Sequence, residues 1–144
     1  MQAIRSFLIV LFMAVASTAV AQQTISISEL VNTKWRVENN WISDYKEYTL
    51  TEIIWKRKDG SFFKYPYYLT DTPVTSYDKS VFDYYKVGKS KKGSYMVSIN
   101  EKMGIVYCSS IESFDKAKGV FVIKVVTQGL IGASGGIERY KLVK

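Results

Sequence analysis

The residue types behind most hydrolytic and metal chemistry are missing from this chain. Its 144 residues include no histidine and a single cysteine, Cys108. A Ser-His-Asp triad, a Cys-His pair and a histidine-ligated zinc are therefore excluded. One cysteine makes neither an internal disulfide nor a multi-cysteine metal site. Carboxylates alone can cleave glycosidic bonds, but no Asp or Glu pair stands out by its spacing. No enzymatic activity, cofactor or metal is expected. Glu52 is a candidate buried carboxylate only if its side chain shares the inward face of its strand. Trp55, on the opposite parity, competes for that face, and both cannot point inward without a bulge.

What remains is aromatic. Beyond residue 21 the chain holds 3 Trp, 11 Tyr and 5 Phe. A buried phenol needs a hydrogen-bond partner, so a dry, filled core favours Phe, Leu and Ile over Tyr. Trp55, Tyr65, Tyr67, Tyr85 and Tyr107 alternate with polar residues and fall on one face of each of four expected strands. They are the expected wall of a pocket for a small apolar or amphipathic molecule, with hydroxyls setting its orientation. The competing account is a barrel interior simply filled by large side chains.

Three other features carry less. Trp41, Tyr45 and Tyr48 surround the polar stretch 43–47 and suit a loop or a rim, where they either stack on a sugar or protein partner or cap the fold. The segment 129–136 is glycine-rich, but a strand rather than a helix follows it, with no Lys-Ser/Thr, so it is read as a hairpin loop and not as a phosphate cradle. Leu130 and Ile131 at its tip would serve as an apolar lid. Lys86, Lys89, Lys91 and Lys92 form a solvated basic turn, and Cys108 reads as a small buried residue.

The elements that must position these side chains begin after an export signal. Arg5, the apolar run 7–20 and Ala19-Val20-Ala21 have the layout of a secretory signal peptide cleaved after Ala21. The run is too short to span a bilayer, so no stable membrane anchor is expected. The destination is periplasmic or extracellular and the product soluble. The remaining 22–144 form one domain. Hydrophobic residues make up 47% and charged residues 23% of the chain, as in a globular protein. The net charge of +7 falls to +6 without Arg5, and for an exported chain it does not argue for nucleic acid.

Within 22–144, β-branched and aromatic runs alternate with Gly, Asp, Asn and Lys clusters. Ser28 is expected to cap one short helical turn over 26–32. Strands are expected over 34–42, 48–57, 61–69, 80–87, 94–99, 105–111, 120–127 and 137–143. Asp59-Gly60 suits a hairpin, and Pro66 suggests an edge or bulge. No long helix intervenes, so neighbours are antiparallel. Eight such strands predict an all-β, eight-stranded antiparallel up-and-down barrel with a short N-terminal helical turn, and a two-sheet sandwich is the alternative.

The opening Leu30-Val31-Asn32-Thr33-Lys34-Trp35-Arg36-Val37 resembles the start of lipocalins and of bacterial lipocalin-like (calycin-type) secreted domains, with Thr33 where the family has glycine. The Asp59-Gly60 hairpin and the closing Tyr140-Lys141-Leu142-Val143 are similar to the same group. The resemblance implies a barrel closed near Trp35, with a mouth that accepts an apolar or amphipathic ligand. Lipocalins often lay an arginine over the opening tryptophan. Here alternation sends Arg139 to solvent with Lys141, opposite Tyr140 and Leu142. The alternative function is a periplasmic or surface interaction module that binds carbohydrate or protein through exposed aromatics around a filled barrel.

Overall fold

The structure, a computed structural model, describes residues 22–38, 44–127 and 136–144. The signal segment, Trp41, Leu130 and Ile131 lie outside these residues. The chain runs β1 (Ile25–Ser26), α1 (Ile27–Leu30), β2 (Lys34–Val37), β3 (Tyr45–Tyr48), β4 (Glu52–Lys56), β5 (Phe62–Thr70), β6 (Lys92–Gly93), β7 (Tyr95–Asn100), β8 (Ile105–Asp115), β9 (Val120–Thr127) and β10 (Ile137–Leu142). Strands β2, β3, β4, β5, β7, β8, β9 and β10 close into a barrel in sequential order, and β10 pairs with β2. Every pairing is antiparallel. This is the expected eight-stranded barrel, and closure leaves it without an unpaired edge.

Two of the expected strands are placed differently, and the differences cancel in the count. The run 48–57 yields only β4, and β3 forms instead over Tyr45–Tyr48, mostly within the stretch expected as a loop or rim. The two are parted at 49–51 because Thr49 turns the chain, its Oγ1 accepting from the Glu52 N–H at 2.9 Å. The run 80–87 is not a strand. It forms two 3₁₀ turns, Lys79–Val81 and Tyr84–Lys86, each headed by an aspartate whose side chain accepts a backbone N–H, Asp78 from Ser80 and Asp83 from Tyr85. The helical turn is also capped two residues earlier than expected. Ser26 precedes α1, and its N–H donates to Glu29 Oε2 at 3.0 Å, while Ser28 bonds only to Ser26 Oγ.

The apolar content of 80–87 has a different use. Segment 71–91 crosses the outside of the barrel, and Phe82 packs there with Tyr68, Val97, Ile99, Val106 and Cys108, flanked by Val74 and Val87. Strands β7 and β8 therefore bury both faces. At the return, Gly93 lies against Thr70, where a Cβ would come within 2.4 Å of the backbone nitrogen. The Asp59-Gly60 hairpin forms as expected, with Gly60 at φ 89° and the Ser61 N–H bonded to Asp59 Oδ1. Pro66 closes the β4 ladder one residue before the β7 ladder starts at Tyr67, where its missing N–H is tolerated.

The main core fills one end. Trp35 is fully buried, with its ring centroid 5.4 Å from both Phe114 and Phe121. Ile27 and Leu30 of α1 are buried in the same cluster. The Trp35 indole donates to Thr33 Oγ1 at 2.7 Å, and that hydroxyl donates to the Leu30 carbonyl. Thr33 thus does polar work that a glycine there would leave undone. Gln23 fastens the N-terminal segment to β8, with side-chain hydrogen bonds to both the N–H and the carbonyl of Phe114.

Candidate functional site

The other half of the barrel interior is not filled. A partly open cavity of about 390 Å³ lies there, and each of the eight barrel strands contributes to its wall. Alternation explains the composition. On β4, Ile53 and Trp55 face in, which sends Glu52 outward. Strand β5 contributes Tyr65. Met96 and Ser98 come from β7, Tyr107 and Ser109 from β8, and Ile123, Val125 and Thr127 from β9. Trp55, Tyr65 and Tyr107 form a continuous aromatic arc, with centroid separations of 6.5 and 6.4 Å, and Phe63 stacks on Tyr65 at the mouth.

Of the five residues expected in the pocket, three line it: Trp55, Tyr65 and Tyr107. Tyr67 lies beneath it in the main core. It is fully buried, edge-on to Tyr48, and its hydroxyl donates to the Thr49 carbonyl at 2.6 Å. Tyr85 is a correction. Its segment is the outer 3₁₀ turn rather than a barrel strand, and the residue is 74% exposed, with the Lys89 ammonium 3.6 Å from its ring centroid. Arg139 is exposed and Tyr140 buried, as alternation required.

Sequence reasoning missed the polar side of the cavity. Lys46 of β3 pairs laterally with Trp35 on one side and Trp55 on the other, so all three point inward. Its ammonium lies 5.3 Å from the Trp55 ring centroid and 5.1 Å from that of Tyr140. Lys46 Nζ donates to Tyr140 Oη at 2.9 Å, and the Tyr140 hydroxyl donates to Glu138 Oε2. Beside this chain, the Trp55 indole donates to Asp44 Oδ2 at 2.8 Å. The stretch 43–47 reads as a polar loop because Lys46 and Glu47 interrupt the apolar pattern. The available signal was the parity of Lys46 with Tyr48, which is buried.

The electrostatics follow from burial. Desolvation lowers the Lys46 ammonium below the usual lysine range, and the Glu138 carboxylate offsets this only in part. Desolvation pushes the Tyr48 phenol upward, with Tyr67 and Glu138 adding to the effect. Tyr67 is raised by burial. Tyr140 is raised by burial, by the charge of Glu138, by Tyr48 and by its own bond to Glu138. Among the described residues, no group of three or more His, Cys, Asp or Glu side chains is placed to hold a metal ion. No helix among them is long and apolar enough to cross a membrane.

The fold and site together define an all-antiparallel eight-stranded barrel with an internal, aromatic-walled cavity. No family model, curated protein or solved structure matches the chain.

Proposed function

We propose that the chain is an exported, lipocalin-like binding protein that takes a small amphipathic molecule into the barrel cavity. The observation that carries this reading is an unfilled interior of about 390 Å³ reached from one end, within the roughly 300–1,000 Å³ typical of ligand pockets. The Trp55–Tyr65–Tyr107 arc supplies apolar area. Ser98, Ser109 and Thr127 supply hydroxyls that orient a polar group. Export rests on the N-terminal segment, and Gln23, two residues past the expected cut, is already bonded to β8. N-terminal analysis of the exported protein should find Gln22 first.

The test is a titration with medium-chain alcohols and apolar dyes, read by tryptophan fluorescence. Saturable binding that weakens in Tyr107→Ala and Trp55→Phe supports the reading, and its absence for every probe overturns it. One observation favours a second reading, an interaction module. Phe62 and Phe63 at the mouth-side hairpin are 57% and 43% exposed, a surface suited to stacking on a carbohydrate or protein partner. Glycan-array binding lost in Phe62→Ser, with no cavity ligand, would select it.

A further inference from the structure

We propose that Lys46 is a carbonyl-capturing amine, whose Nζ condenses reversibly with an aldehyde carried on an apolar body that occupies the barrel cavity. This rests on the ligand-binding reading above and names the chemical class of its ligand.

The charges around the cavity argue for a neutral carbonyl. A carboxylic acid seated beside Lys46 would face Glu138, held to Lys46 through Tyr140, whereas Glu38 at the rim is already paired with Lys141 at 3.3 Å. Asp44, against Trp55, adds a second carboxylate near the lysine. An amine ligand would meet the Lys46 ammonium itself, which already occupies the faces of Trp55 and Tyr140. A neutral carbonyl suffers neither repulsion. An apolar site that desolvates an amine also favours its uncharged, nucleophilic form, the usual setting of Schiff-base lysines.

The hydrogen-bond order suits the chemistry. Lys46 donates to Tyr140, and Tyr140 spends its own proton on Glu138. In the neutral amine the nitrogen lone pair is therefore not engaged by the tyrosine. The ammonium gives up one of its other protons to water at the open end and keeps its N–H bond to Tyr140, which leaves a free amine. The amine then attacks the carbonyl carbon. The C=O π pair moves to oxygen, which takes a proton, while the nitrogen loses one, giving a neutral carbinolamine. Its C–O bond breaks as the oxygen takes up a second proton and leaves as water through the open end. The nitrogen loses its last proton and C=N forms. One aldehyde and one amine give one imine and one water, with no change of oxidation state.

The experiment has two arms on the purified protein. In the first, 1-decanol, which cannot form an imine, is titrated against tryptophan fluorescence. In the second, decanal is added with cyanoborohydride, which reduces any imine to a stable secondary amine, and intact mass and peptide mapping locate it. The expected result is saturable decanol binding and one decyl adduct, at Lys46. It should form on the order of tenfold faster than at other lysines, because an ordinary solvated lysine is almost all ammonium at neutral pH. The preferred adduct should vanish in Lys46→Arg and Lys46→Met, each checked for folding by circular dichroism, and should form at least as fast in Glu138→Gln, which removes the charge that favours the ammonium. Decanol binding with decanal spread evenly over surface lysines overturns the imine and leaves the cavity reading intact. Failure of both probes to bind overturns both.

Discussion

Replacing Trp35 with alanine removes the largest fully buried side chain among the described residues and tests the closed end of the barrel. The side chain has no solvent exposure and packs at 5.4 Å against both Phe114 and Phe121. Truncation of a buried Trp costs about 3–5 kcal/mol. Loss of two tilted aromatic pairs, each about 0.5–1.5 kcal/mol, puts the expectation in the upper half of that range. Little is added for lost polar contacts, because Thr33 keeps its bond to the Leu30 carbonyl. With a urea slope of about 1–3 kcal/mol per molar, a loss of about 4 kcal/mol lowers the midpoint by roughly 2 M. Trp35→Phe keeps most of the ring and should cost less than half as much. The effect should also reach the cavity, because Phe121 links Trp35 to Tyr48 and Tyr140, so ligand affinity should weaken. Urea unfolding followed by far-ultraviolet circular dichroism is the assay. A loss below about 1 kcal/mol, far under the buried-residue range, would refute both the packing and the register that places Trp35 opposite Lys46 and Leu142.

Two further outcomes follow from buried titratable groups. Tyr48, Tyr67 and Tyr140 ionise above the ordinary tyrosine value of 10.0 when folded. The unfolded chain therefore loses protons first, and stability is full below pH ~10 and falls as pH rises past it. Lys46 acts in the opposite sense below its ordinary value of 10.5, where the unfolded chain holds the extra proton. Phenolate absorbance on alkaline titration should show a delayed fraction that appears only with unfolding; complete ionisation near pH 10 with the barrel intact would count against the buried phenols. The Cys108 thiol is buried and pushed upward by desolvation, so a thiol reagent should react slowly until denaturant is added. Fast labelling of the native protein would mean that segment 71–91 does not cover β8.

The barrel was legible in the sequence because its inward residues obey a period of two over most strands, as in Tyr65, Tyr67 and Leu69 of β5. Two features broke the rule. Thr49 turns the chain within an unbroken-looking run, and only its side-chain bond to the Glu52 N–H reveals this. Phe82 and Val87 are apolar for an outer core, and local pattern does not say which side of a sheet an apolar residue covers. Tyr85 was assigned inward for that reason. The aromatic half of the cavity was readable, since Trp55, Tyr65 and Tyr107 sit on regular strands. The polar half was not. Lys46, Tyr140 and Glu138 come from the two ends of the chain and meet only because β10 closes on β2 and β2 pairs with β3.

The outer core explains how a barrel without a disulfide keeps part of its interior empty. At about 24 cal/mol per Å³ of unfilled core, a cavity of about 390 Å³ forgoes roughly 9 kcal/mol at most, because water at the mouth offsets some of it. Phe82, Val97, Ile99 and Val106, the wholly hydrocarbon members of the outer cluster, contribute about 1.5–3 kcal/mol each, a gain of similar size. This assigns stability and binding to opposite faces of β7 and β8. Val97, Ile99 and Val106 face segment 71–91, while Ser98 and Tyr107 face the cavity. Phe82, tilted against Tyr68 at 5.0 Å and edge-on to Tyr84 at 4.8 Å, is the residue that separates the two. Phe82→Ala should lower stability by about 3 kcal/mol and speed proteolysis within 71–91. Affinity for a cavity ligand at low denaturant should stay within about twofold, since sites without shared contacts combine additively. Chemical denaturation, limited proteolysis and the decanol titration measure the three quantities on one variant. A fall in affinity as large as the fall in stability would show that the excursion supports the cavity wall and that the two faces are not independent.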